Sequence, residues 1–417
     1  MLWFRYWEFW MRSVVPIWFR KLYIHFEEDL PTDGPIIFAC THPNSALDYF
    51  FLPLILRNGV SVLVRGDIFR NPILNFIFRR IWILPVFRFR DGYSSLKDNA
   101  TSFGACYEEF DNHGHVLIFP EGASVQHKTV QPLQKGSARL ALNYLEKHGG
   151  DKMYIVPMAN NYSRYRQFRS TIATRFGKAI DVNEYRDLYR ENENKAFQKL
   201  TSDIAVELKR HFIEVNNYSD DCLTEKALMA LRLDRLEERS EFYIEDDTVF
   251  QSERALVEKL NDLGEDALSA EWKETAIRVG LDQRTEGILK HQYSKDVYWV
   301  QRAILAPIML ISFIPSLLPH YISQWLIDNK IKDIIFYTTI HIAGNLILYS
   351  FQTIILAIVF GSLFGWMGLL VPLTVYLISK IGGEVVDEFL FAHYNWKKVA
   401  YRDDFKMLNE EVKALIR

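Results

Sequence analysis

The chain has 417 residues, 49% apolar and 24% charged, with a formal net charge of -3. Single cores rarely grow past roughly 250–300 residues, so two or three units are expected. The near balance of charge argues against a whole-chain nucleic-acid binder, and three widely spaced cysteines (Cys40, Cys106, Cys222) without a C-x-x-C pair suggest neither a disulfide framework nor a zinc site.

The first 26 residues carry Arg5, Glu8, Arg12, Arg20 and Lys21, which speaks against a cleavable signal peptide. Trp3, Phe4, Trp7, Phe9, Trp10, Trp18 and Phe19 crowd the same stretch, while Arg5, Glu8 and Arg12 recur at i, i+3 and i+7. That pattern predicts a membrane-associating helix at the headgroup boundary within residues 1–30.

Residues 31–185 alternate short apolar runs with helical patterns, which predicts an α/β domain with a largely parallel sheet flanked by helices. Strands are expected at 36–40, 61–65, 83–89, 115–119, 153–159 and 172–176, and helices near 46–57, 72–81, 94–112 and 133–148. Residues 186–298 read as a charged helical region: Leu200, Ile204, Leu208 and Phe212 repeat every four residues, and Leu256, Leu260 and Leu263 follow i, i+4, i+7.

Residues 299–382 are the expected membrane part. Neither 303–327 nor 334–379 contains Asp, Glu, Lys or Arg, and the second stretch is 46 residues long. A span needs about 20 apolar residues, so two or three transmembrane helices are expected, the second stretch turning near Gly361, Ser362 or Gly365. Pro307, Pro315 and Pro319 predict a kinked or re-entrant first span. Residues 383–417 read as a polar C-terminal tail.

In open α/β sheets ligands sit beyond the carboxyl ends of the strands. The first expected strand ends in Cys40-Thr41-His42-Pro43-Asn44-Ser45-Ala46-Leu47-Asp48. A histidine and a carboxylate there can form a dyad in which imidazole takes an alcohol proton and the carboxylate fixes its tautomer. Ile83-Leu84-Pro85-Val86 runs into Phe87-Arg88-Phe89-Arg90, delivering guanidiniums suited to two-point phosphate binding. Phe119-Pro120-Glu121-Gly122 places a carboxyl and a glycine after another strand, with Lys135, Gly136 and Arg139 downstream as positive charge near an anionic group. Ile155-Val156-Pro157-Met158-Ala159 holds a proline, which is confined to edges or bulges and could line an acyl or pantetheine channel. No G-x-S-x-G elbow, Walker loop or G-x-G-x-x-G occurs, which disfavours a serine hydrolase and nucleotide use.

These four segments, in this order, resemble the four sequence blocks of the glycerolipid acyltransferase family, over residues 36–180. The resemblance implies an acyl transfer enzyme with His42 as catalytic base and Asp48 as its orienting carboxylate. It implies phosphate or glycerol binding by Arg88, Glu121 and Gly122, supplemented by Arg90, Lys135 and Arg139, and an acyl-channel position at Pro157. No metal or other cofactor is expected; acyl-CoA or acyl carrier protein is a cosubstrate. The family's usual spacing is H-x4-D, whereas five residues separate His42 from Asp48 here. Members of the glycerol-3-phosphate and dihydroxyacetone-phosphate branch share H-P-N or H-x-N openings with the longer spacing, so the resemblance points to that branch. A lysophosphatidate acyltransferase, a CoA-independent transacylase and a non-catalytic lipid-binding protein are the alternatives. The expected partners are membrane lipids, acyl donor and glycerol-phosphate acceptor, not nucleic acid. The expected location is an integral membrane protein with its catalytic domain on the cytoplasmic face.

Overall fold

The computed structural model describes residues 12, 15, 16, 18–50, 52–56, 59–66, 69, 72, 75, 76, 82–86, 95–219, 221–235, 242–282, 285–290, 295–331, 333–375 and 398–417. Its sheet is built from β1 (Phe19–Phe26), β2 (Ile36–Cys40), β3 (Val60–Arg65), β4 (Ile83–Val86), β5 (His115–Ile118), β6 (Tyr154–Tyr162), β7 (Ser170–Phe176), β8 (Ile180–Asp181) and β9 (Tyr243–Ile244). The order is β4-β3-β5-β2-β6-β7-β1-β9, with β8 also on β6. Strands β4, β3, β5, β2 and β6 are mutually parallel, β7 runs antiparallel to β6, and β1 and β9 are parallel to β7.

Every residue of β2, Ile-Ile-Phe-Ala-Cys, is buried. Such a run without polar alternation suits a central strand covered on both faces. Its side chains alternate between two cores. Ile36, Phe38 and Cys40 join Val156, Met158, Tyr162, Trp18, Leu47 and Tyr49 on one face. Ile37 and Ala39 join Ile155, Ala159 and the helices Ser95–Asp111 (α1), Gly136–Asn143 (α2) and Glu193–His211 (α3) on the other. Helix α3 contributes Phe197, Leu200, Ile204 and Leu208 to that core, so packing of the sheet draws on residues past 185.

A third core lies in the helical region, where Leu223–Leu231 (α4), Thr248–Leu263 (α5) and Ala270–Arg278 (α6) enclose Leu228, Leu256 and Trp272. Lys295–Lys330 (α7) and Tyr337–Phe364 (α8) follow, and Arg402–Ile416 (α9) ends the chain.

Three expectations are corrected. The helix expected within residues 1–30 gives way at Phe19 to β1, which pairs with β7 from Phe19↔Ser170 to Phe26↔Phe176. Trp18 and Phe19 are buried in the core rather than turned to a bilayer; residues 1–11 lie outside the described residues. The polar tail contains α9, whose Phe405, Leu408 and Val412 form an i, i+3, i+7 stripe buried in the third core. The Trp272 indole N–H donates to the Leu408 carbonyl across that contact at 3.0 Å. Finally, Pro157 stands in a central strand, not at an edge. Tyr154 N–H donates to Pro35 O and Met158 O accepts from Thr41 N–H, so these residues face β2 and Pro157 faces away from it. On that side β6 changes partner from β8 to β7, and the missing donor falls in the gap while the Pro157 carbonyl accepts from Gly177 N–H.

One segment among the described residues, Ile334–Val375, is long and apolar enough to cross a membrane by length and composition. Within it α8 is 28 residues long, about 42 Å at 1.5 Å per residue. The helix stops where expected, at Gly365, whose φ of 60° is open to glycine at little cost. The stretch 303–327 lies within α7, assigned as one helix through its three prolines.

Candidate active site

The carboxyl ends of β2, β3, β4, β5 and β6 share one rim, because these strands are parallel. Strand β5 is the neighbour of β2, so the loops after Cys40 and after Ile118 emerge side by side.

The last ladder contact of β2 is Thr41 N–H to Met158 O at 3.0 Å, and Thr41 Oγ1 accepts from Asn160 N–H at 3.0 Å. The chain then turns: Leu47 N–H and Asp48 N–H donate to the carbonyls of Asn44 and Ser45, and Ser45 sits in the left-handed region at φ 55°. This turn absorbs the extra residue between histidine and aspartate. His42 Nδ1 lies 3.1 Å from Asp48 Oδ2.

Asp48 is fully buried, and both of its carboxylate oxygens accept hydrogen bonds. Oδ2 also accepts from Asn44 N–H at 2.8 Å, and Oδ1 accepts from the Tyr162 hydroxyl at 2.7 Å. Burial, and then the Asp48 charge, pushes the Tyr162 hydroxyl well above its ordinary value, so it serves as a donor. With Nδ1–H given to Asp48, Nε2 of His42 carries the ring's lone pair. The His42 ring stacks on Phe119, centroids 3.8 Å apart, and its side chain keeps 17% exposure. The imidazole is thus held in one orientation with limited access to solvent.

Glu121 lies on the adjoining loop, where its carboxylate accepts from the backbone N–H groups of His42 and Gln131. Burial foremost, and Asp48 second, raise its pKa to about 8. Gly122 turns the loop at φ 70° and donates to Phe119 O at 3.1 Å. Ser124 Oγ accepts from Ser45 N–H at 2.9 Å and Val125 N–H donates to His42 O at 3.2 Å, which locks the two loops together. The return of Gln134 N–H to Pro120 O at 2.7 Å closes this loop before Lys135, which precedes α2.

The structure therefore brings His42, Asp48, Glu121 and Gly122 together. Arg139 instead lays its guanidinium 5.7 Å over the Phe197 ring of α3. Pro157 shares the parity of Ile155 and Ala159, on the sheet face opposite Tyr162. Arg88 and Arg90 lie outside the described residues; β4 ends on the shared rim at Val86. No local pattern pointed to Tyr162 or to Asn160, whose Nδ2 reaches the Asp48 carbonyl at 3.4 Å. Asn44 stood inside the motif, and its spacing from Asp48 was the available signal.

The profile of the Acyltransferase family matches residues 21–161, a stretch that holds His42, Asp48, Glu121 and Pro157. The chain carries an acyltransferase-family domain. Glycerol-3-phosphate O-acyltransferase 2 of Saccharomyces cerevisiae is 28% identical over 117 residues, which is 28% of this chain and 16% of the yeast protein. Glycerol-3-phosphate O-acyltransferase 1 of the same yeast is 31% identical over 90 residues, 22% of this chain and 12% of that protein. The chain thus spans only a small part of the length of either relative. Among solved structures, the 1-acyl-sn-glycerophosphate (LPA) acyltransferase PlsC from Thermotoga maritima matches at 15% identity and a TM-score of 0.33, covering 47% of this chain and 79% of that one.

Beneath the acyltransferase domain's rim a cavity of about 20 Å³ opens between the sheet and the helical region, lined in part by Tyr162, Lys128, Asn161 and Glu253. It has room for a water molecule and none for a substrate.

Proposed function

We propose that the chain moves a fatty acyl group from a thioester, acyl-CoA or acyl carrier protein, to the free hydroxyl of glycerol-3-phosphate or dihydroxyacetone phosphate. The observation that carries this reading is the 3.1 Å contact of His42 Nδ1 with a buried Asp48 that Asn44 N–H and the Tyr162 hydroxyl also hold, leaving Nε2 as the base. His42 Nε2 takes the hydroxyl proton as the oxygen attacks the thioester carbonyl carbon. Backbone N–H groups of the rim loops are the donors for the oxyanion. The C–S bond then breaks, the thiolate takes the proton from the imidazolium, and an ester and a free thiol remain. Arg88, Arg90 and Lys135 supply positive charge for the phosphate, and the segment Ile334–Val375 holds the domain to a bilayer on the cytoplasmic side.

His42→Ala is expected to lower acyl transfer by on the order of 10²–10⁴-fold, with folding and membrane association kept. The measurement is product formation from labelled acyl donor against glycerol-3-phosphate, dihydroxyacetone phosphate and lysophosphatidate in turn. A variant as active as the parent protein defeats the assignment. A preference for lysophosphatidate moves the reading to a later acylation.

A further inference from the structure

The start of α8 belongs to the catalytic domain although the rest of the helix does not. Thr338, His341 and Ile342 have no exposed surface, whereas Phe351, Ile354 and Ile358 are 55–66% exposed. Ile342 packs in the same core as Leu47, Tyr49 and Leu52, neighbours of Asp48 in the chain. The His341 ring stacks on Trp18 at 5.1 Å, the residue that leads into β1. Gly344 permits close approach to α7, since a Cβ there would fall 2.7 Å from Ser323 Oγ.

One hydrogen-bonded path runs from this end to the dyad. Thr338 Oγ1 donates to the Tyr165 carbonyl at 2.9 Å, and Asn44 Nδ2 donates to the same oxygen at 2.9 Å. A carbonyl has two lone pairs, so the two donors satisfy it together. Asn44 is then fixed at three points: its amide nitrogen on Tyr165, its amide oxygen receiving Gln126 Nε2 at 3.2 Å, and its backbone N–H on Asp48 Oδ2. Asp48 Oδ2 is the oxygen that meets His42.

We infer that Thr338 is a positioning residue for the His42/Asp48 pair, acting through Tyr165 and Asn44, so that the apolar helix and the reaction centre form one hydrogen-bonded unit. The inference rests on the acyl transfer reading above. Loss of the hydroxyl removes one of the two donors that share Tyr165 O in a buried site, and Asn44 can shift in response. The Asp48 oxygen moves with Asn44, and the imidazole loses its alignment.

The test compares full-length Thr338→Val, which keeps the shape, with Thr338→Ser, which keeps the hydroxyl, in the same detergent or vesicles. Thr338→Val is expected to lower kcat roughly three- to tenfold, the effect of one net hydrogen bond, with KM for donor and acceptor unchanged. Thr338→Ser restores kcat. Hydrogen exchange of the backbone amides in 42–50 is expected to quicken in the valine variant and not in the serine one. An unchanged kcat in Thr338→Val, or a loss that Thr338→Ser shares, overturns the inference. If the parent protein itself transfers no acyl group, the functional reading fails by itself, and the exchange rates decide the inference: equal protection in all three proteins rejects it.

Discussion

Three donors converge on the Asp48 carboxylate, and each removes a different freedom. Asn44 N–H holds the loop, His42 takes the dyad bond, and the Tyr162 hydroxyl, 114 residues away, pins the far oxygen from β6. A buried carboxylate that loses a donor bears an unsatisfied lone pair, which costs about 1–3 kcal/mol. Tyr162→Phe is therefore expected to lower thermal stability by that amount and kcat by roughly tenfold, read by unfolding and steady-state kinetics. A kcat equal to the parent's would mean that Asn44 and His42 suffice to orient Asp48. Glu121 gives a pH prediction. Its folded pKa, raised to about 8 from an ordinary 4.5, means that its stabilising contribution is complete below 4.5 and is lost as pH rises through 8. Replacing it with glutamine should flatten the fall in stability between those two values; a fall of the same depth in Glu121→Gln would assign it to other groups. At this scale His42 with Asp48, and Glu121 with Gly122, were legible as two short motifs that each follow a strand. Tyr162 was not, because its role exists only once β6 lies beside β2.

The loop from Pro120 to Gln134 owes its shape to an element outside the matched domain. Val215 N–H donates to Lys128 O at 2.7 Å, and Val130 N–H donates to Glu214 at 3.0 Å. Lys128 Nζ, itself buried, meets Glu225 of α4 at 2.5 Å, and Arg164 approaches the same carboxylate at 3.6 Å. A further buried cluster joins Arg232 and Arg235 to Glu253, where burial would raise the glutamate's pKa and the two guanidiniums more than reverse it. Breaking a buried pair by removing one partner costs about 3–5 kcal/mol. Glu225→Ala removes the carboxylate that Lys128 and Arg164 share, so a loss of that size is expected in denaturant unfolding; a loss under about 1 kcal/mol would show that water reaches the pair. Periodicity revealed α3 and α5 but not their partners. It also missed β1, whose aromatic residues fit a helix at an interface as well as a strand, and the choice was made by the free edge of β7.

For the whole molecule, the decisive contrast is between three buried cores and a helix with apolar side chains exposed along most of its length. Phe351, Ile355, Ile358 and Leu363 of α8, and Trp366 just beyond it, are all more than half exposed, and contiguous apolar surface of this kind marks a site of interaction with a partner or a membrane. The full chain is expected to float with phosphatidylcholine vesicles and to remain with them after an alkaline carbonate wash. Recovery of monodisperse protein in detergent-free buffer would count against a membrane role for Ile334–Val375. The sequence by itself determined what is local: the parallel strands from hydrophobic runs, the rim motifs that follow them, the charged helical region, and the uncharged stretches beyond it. Tertiary structure decided what depends on distant partners, namely the strand at Phe19–Phe26, the packing of α9, the place of Pro157, and the donors that Tyr162 brings to Asp48 and Thr338 to the Tyr165 carbonyl. Periodicity reports the face that a segment buries, whereas hydrogen bonds across a sheet or between cores depend on which surfaces meet.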